Sequence, residues 1–220
     1  QIRRPNSYIV SLQEEYKSWA FTEEQAPLYK GLWRSEVFKV PAHHPLDIEI
    51  GTGNGLFFAH QASSHPERCL LGIERKFKPL VQTIRRTLRS GATNARVVRY
   101  DAEVPWDLLA PEEINNVFIY FPDPWPKTRW HKNRLIQNDY LERLHVLQRP
   151  GSYLEFKTDH AHYFEQALEV FHNSQYDVCG YTYDLHRSEY AEKNFVTHFE
   201  SIFLRKSQPI YFALLQKSAD

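Results

Sequence analysis

From residue 46 the chain alternates short apolar runs with helical patterns, and this alternation constrains the fold more than any other feature. The runs are LDIEI, CLLGIE, ARVVRY and INNVFIYF, then SYLEFK, YDVCGYTY and PIYFALLQ. Helical patterns over 55–64, 76–90, 133–147 and 160–174, with a short piece at 105–110, lie between them. In the last of the long patterns Tyr163, Phe164, Ala167, Leu168 and Phe171 share one face. Near-continuous apolar strands separated by helices predict an α/β fold whose mostly parallel sheet carries helices on both faces. The last two runs lack a crossover helix of ordinary length, which predicts an antiparallel pair at one end.

Residues 1–40 differ in kind. They are basic at Arg3 and Arg4 and aromatic at Tyr8, Tyr16, Trp19, Phe21, Tyr29 and Trp33, with little periodicity. Two readings of this arm stay open: packing over a sheet edge, or a clamp on a partner. The expected organisation is an arm over 1–40 and one large domain over 41–220, long enough to bury a core without disulfides or metal. Cys69 and Cys179 are far apart and each falls in a strand, which predicts two buried free thiols. No apolar run is long enough to span a bilayer, and QIRRPNSYIV has no signal-peptide core, so the expectation is a cytoplasmic protein without a membrane partner.

Lys plus Arg and Asp plus Glu both number 27, but the charges are unevenly placed. Arg75, Lys76, Lys78, Arg85, Arg86, Arg89, Arg96 and Arg99 follow one another with no acid among them. Lys127, Arg129, Lys132 and Arg134 form a second basic cluster. Two such clusters point to a polyanionic partner. His43–His44 and His160–His162 lack the neighbouring ligands that a metal site needs, and no metal is expected.

The first apolar run leads into EIGTGNG, Glu49 to Gly55. Glycines at a strand-to-helix turn allow positive φ and close approach of a ligand to the backbone, and the helix start offers free N–H groups. A dinucleotide fingerprint requires a third glycine where Leu56 stands; the spacing here is Gly51, Gly53, Gly55. Glu74 ends the second run, where an acid takes ribose hydroxyls, and Asp101 follows the third. Acids at three strand tips, Glu49, Glu74 and Asp101, would repel a pyrophosphate and suit a cationic ligand such as a sulfonium. The arrangement resembles that of the class I S-adenosylmethionine-dependent methyltransferases, which implies a Rossmann-like, seven-stranded sheet with an antiparallel last strand, here PIYFALLQ.

INNVFIYF runs into FPDPWPKTRWHKNR, whose prolines 122, 124 and 126 each fix φ and lack an N–H. This segment is similar to the FPDPW-x-K signature of the bacterial tRNA (guanine-N7)-methyltransferases. KTDH at 157–160, THFE at 197–200 and QPIY at 208–211 extend the resemblance over about 46–217, and in the arm only Ile2, Arg3, Arg4 and Ser7 match the family's Arg-rich opening.

The resemblance implies transfer of a methyl group from S-adenosylmethionine to N7 of guanine 46 in the variable loop of tRNA, by a monomer or homodimer. It assigns Glu49, Glu74 and Asp101 to the amino-acid, ribose and adenine parts of the cofactor, with Gly51, Gly53, Gly55 and Ala102 beside them. Asp123 is implied to touch both cofactor and target base and to act in catalysis, and Lys127, Asp159, Thr197, His198, Phe199 and Glu200 to contact the RNA. Trp125 either stacks on a base or wedges the loop. From the residues alone, a class I methyltransferase acting on another RNA, a protein or a small molecule, and a non-catalytic RNA-binding module on the same fold, stay open.

Overall fold

The computed structural model describes residues 6–219, so Ile2, Arg3 and Arg4 of the arm lie outside the described residues. The chain divides into two compact units, 1–109 and 110–220.

The first unit contains helix α1 (Ser7–Gln13), strand β1 (Ala20–Phe21), β2 (Leu46–Ile50), α2 (Leu56–Ser64), β3 (Cys69–Ile73), α3 (Phe77–Arg89) and β4 (Ala95–Val98). Its strands are all parallel, in the order β1-β4-β3-β2. Every residue of β2 and β3 is buried, so both faces of the sheet are covered there. One layer of that cover joins Leu12, Tyr16 and Ala20 to Phe58, Ala62, Leu80, Val81 and Ile84. Of the two readings of the arm, packing describes what its aromatics do. Trp33 is fully buried and its Nε1 donates to the Leu108 carbonyl at 2.9 Å. Phe21 meets Tyr29 and Trp33 edge-on at 5.1 and 5.2 Å.

The second unit contains β5 (Val117–Tyr120), α4 (Asn138–Leu147), β6 (Tyr153–Thr158), α5 (Ala161–His172), β7 (Asp177–Thr182), α6 (His198–Arg205) and β8 (Tyr211–Gln216). β5 and β6 are parallel, and β8 runs antiparallel between β6 and β7. The antiparallel last strand is as expected. The strand count is not: eight strands form among the described residues where seven were expected, and the added one is two-residue β1, which the arm lays along β4.

Cys179 also departs from expectation. Cys69 is buried, but Cys179 is exposed. In the β7–β8 register Val178 faces Leu215 and Gly180 faces Leu214, so Cys179 is the unpaired residue of a bulge and is turned out of the ladder.

Candidate active site

In the first unit, β2, β3 and β4 are in register, with Glu49 opposite Gly72 and Gly72 opposite Val97. Their ends therefore bring Glu49, Glu74 and Asp101 to one edge. Glu49 lies within β2 and is 3% exposed. Glu74 follows β3 directly: its Oε2 accepts from Gly53 N at 3.1 Å and its Oε1 from Lys76 N at 2.8 Å. The carboxylate thus braces the glycine loop against the start of α3. A carboxylate has about four acceptor positions, so each oxygen of Glu74 keeps capacity for a hydroxyl donor. Asp101 accepts from Glu103 N at 3.0 Å and lies 3.4 Å from Arg75 Nη1, with Ala102 partly exposed beside it.

The three loop glycines have different reasons to be glycine. All have positive φ: 84° at Gly51, 53° at Gly53 and 76° at Gly55. A Cβ on Gly55 would stand 2.4 Å from the Thr83 Cα, so this position is needed for packing α2 on α3. A Cβ on Gly51 or Gly53 would meet nothing within 4 Å. Glycine there leaves the backbone open on that side. Open glycine backbone beside three carboxylates fits a ligand that carries an ammonium, a ribose and a positive sulfur.

In the second unit the chain leaves β5 through two residues in the left-handed region, Phe121 (φ 54°) and Trp125 (φ 44°), on either side of the exposed Asp123. Such a conformation in bulky residues persists only when the surroundings hold it. Phe121 N donates to the Lys157 carbonyl at 2.8 Å, and the Phe121 ring lies 5.9 Å from that of Phe199 and 6.0 Å from that of Phe203. At the far side Arg134 Nε donates to the Pro124 carbonyl at 2.8 Å. Trp125 is half-buried and meets Trp130 edge-on at 6.0 Å. Lys127 and Arg129 lie over the Trp130 ring at 4.7 and 5.0 Å.

Residues 43–213 match the protein family described as "Putative methyltransferase". The tRNA (guanine-N(7)-)-methyltransferase of Bdellovibrio bacteriovorus is 48% identical over 208 residues, which is 94% of this chain and 100% of that protein. The enzyme of the same description from Bacillus subtilis is 33% identical over 211 residues, 92% of this chain and 97% of that one.

The chain belongs to the tRNA (guanine-N7)-methyltransferase family.

Among solved structures, an antibiotic-related methyltransferase superposes with a TM-score of 0.58 at 20% identity, over 79% of this chain and 87% of that one. The 16S rRNA methyltransferase KamB does so with 0.57 at 12%, over 80% and 89%. These likenesses show the Rossmann-like methyltransferase fold.

Within this family member, several residues of the family motifs point inward. Arg134 belongs to the basic cluster by sequence, yet it is 2% exposed. Its guanidinium lies over the Tyr163 ring at 4.9 Å and bonds Gln166 Oε1 and His162 Nδ1, each at 3.1 Å, which leaves Lys127, Arg129 and Lys132 as that cluster's exposed cations. Thr197 is 7% exposed and caps α6, and Glu200 is fully buried, while His198 and Phe199 between them face solvent. Asp159 is partly exposed just past β6. Sequence reasoning passed over Lys157, Asn194 and Arg134 as structural groups. The one available signal was a lysine inside an otherwise apolar strand, SYLEFK.

Among the described residues no helix is long and apolar enough to cross a membrane, and no cluster of three His, Cys, Asp or Glu side chains is placed to hold a metal.

Proposed function

We propose that this chain transfers the methyl group of S-adenosylmethionine to N7 of a guanine in tRNA, guanine 46 of the variable loop. The observation that carries the reading is Asp123: an exposed carboxylate between two left-handed residues, on a loop tied at both ends and flanked by exposed cations. When bound, S-adenosylmethionine supplies an electrophilic methyl group on a sulfonium. Glu49 holds the ammonium end, Glu74 accepts the ribose hydroxyls with the capacity that its two backbone bonds leave, and Asp101 with Ala102 takes the adenine. Gly51 and Gly53 let the ligand lie against the backbone.

Guanine N7 carries a lone pair and no hydrogen, so no base has to remove a proton. The work left to the protein is orientation and charge. Asp123 accepts from the N–H edge of guanine, which turns N7 toward the methyl, and its negative charge stabilises the cation that forms on the ring. A preset loop loses little freedom when the base arrives. Lys127, Arg129 and Lys132 take phosphates, and Asp159, His198 and Phe199 are the other side chains offered to the RNA.

Incubation of unmodified tRNA with the protein and labelled S-adenosylmethionine, followed by nucleoside mass spectrometry and chemical cleavage at 7-methylguanosine, tests the reading. One new methyl on a guanine, with cleavage at position 46, is the expected result. A methyl on an exocyclic amine, or none on tRNA, overturns it.

A further inference from the structure

Lys157 is a buried cation of the second unit, with its side chain 2% exposed near the end of β6. Its Nζ lies 4.2 Å from the centre of the Tyr120 ring, donates to Asn194 Oδ1, and reaches the Phe195 carbonyl at 3.5 Å and Glu200 Oε2 at 3.3 Å. Glu200 is fully buried. Its Oε2 also accepts from Thr197 N at 2.8 Å, and its Oε1 accepts from Asn194 Nδ2 at 2.8 Å. Oε1 also faces His186 Nε2 at 3.4 Å, without hydrogen-bond alignment. A carboxylate surrounded in this way has little capacity left for an RNA donor.

Lys157 is bonded in a second direction through its own backbone, because its carbonyl accepts from Phe121 N. Phe121 begins the loop that carries Asp123, and its ring packs against Phe199 and Phe203 of α6. One residue therefore ties the Asp123 loop by its main chain and the 194–200 segment by its side chain.

Building on the RNA reading above, we propose that Lys157 and Glu200 are positioning residues: together they lock the 194–200 segment to the root of the Asp123 loop, so that His198 and Phe199 meet the RNA in fixed register with Asp123. Glu200 acts from inside this lock and does not touch the substrate.

Lys157→Met, Glu200→Gln and the double variant Lys157→Met/Glu200→Leu are compared with the unmodified protein. The double variant leaves no lone buried charge, which guards against unfolding of the singles. Hydrogen exchange of amides 194–205 reads the lock directly and needs no tRNA. In the double variant these amides are expected to lose protection while S-adenosylmethionine affinity and melting temperature stay near those of the unmodified protein. Its kcat/KM for tRNA is expected to fall about a hundredfold, the scale of a misplaced contact, and no further than in either single variant. Retained protection or a normal kcat/KM in the double variant overturns the proposal. So does a loss confined to Glu200→Gln with its amides still protected, because Glu200 would then act on RNA itself. If the unmodified protein fails to methylate tRNA, the functional reading fails while the exchange result still decides on the lock.

Discussion

Arg134 Nε donates to the Pro124 carbonyl at 2.8 Å, and this bond joins a buried cation to the middle of the proline loop, one residue beyond Asp123. The prolines have removed three N–H donors from the loop, while the Pro124 carbonyl still needs one. The guanidinium supplies what the loop cannot, and is itself fixed by Tyr163, Gln166 and His162.

Arg134→Met keeps most of the packing on Tyr163 and removes the bond to Pro124. Single-turnover methyl transfer to tRNA should slow by about a hundredfold through loss of loop register, with cofactor affinity unchanged. An unaffected rate would mean that the prolines alone hold Asp123.

Glu74→Ala should weaken S-adenosylmethionine binding measured by calorimetric titration. Hydrogen bonds to a charged group contribute about 1.5–3 kcal/mol, which is about ten- to a hundredfold in affinity. The effect has two sources here, because the same carboxylate braces Gly53 and Lys76. Glu74→Gln, which keeps an acceptor for one of the two N–H groups, should lose less.

Gly55→Ala and Gly91→Ala separate backbone strain from collision. Both glycines have φ near the left-handed region, 76° and 78°, but a Cβ at Gly91 meets nothing within 4 Å and one at Gly55 meets the Thr83 backbone at 2.4 Å. Thermal unfolding should show Gly91→Ala costing about 1–2 kcal/mol and Gly55→Ala clearly more, since α3 would have to move away from α2.

Asp123→Asn keeps the shape of the side chain and removes its charge. Turnover should fall by on the order of a hundredfold or more if the carboxylate offsets the guanine cation. In the unmodified protein the single-turnover rate should not rise with pH, because N7 has no proton to lose. Stability, and not the chemical step, should decline in acid: burial, the Arg134 charge and His162 hold His131 below its ordinary value of 6.5. Below that value the unfolded chain binds a proton that the folded one resists, so this stability is present above about pH 6.5 and is lost as pH falls. A rate rising tenfold per pH unit from 6 to 9 would instead point to a target atom that must be deprotonated.

Much of the fold and the framework of the candidate site were legible in the sequence because their signals are local. Buried parallel strands demand apolar runs, a strand-to-helix turn that admits a ligand demands Gly51 and Gly53, and Glu74 and Asp101 follow their strands directly. The proline loop announces itself in the same way, since no regular element can contain it. Which charges are exposed was not legible. Arg134 and Lys127 stand in one basic stretch, yet one is buried and the other exposed. Glu200 and Phe199 stand side by side in THFE, yet the acid is inside and the ring outside. Cys179 looked like a core thiol until a bulge turned it outward. A charge enters the core only where a partner waits for it, and Lys157 finds Asn194 and Glu200 at 37 and 43 residues' separation. The sequence by itself determined the strands, the glycine loop and the acid tips through nearest-neighbour chemistry; only the tertiary structure, by bringing distant partners together, decided which ionic groups are buried in bonds and which are left at the surface.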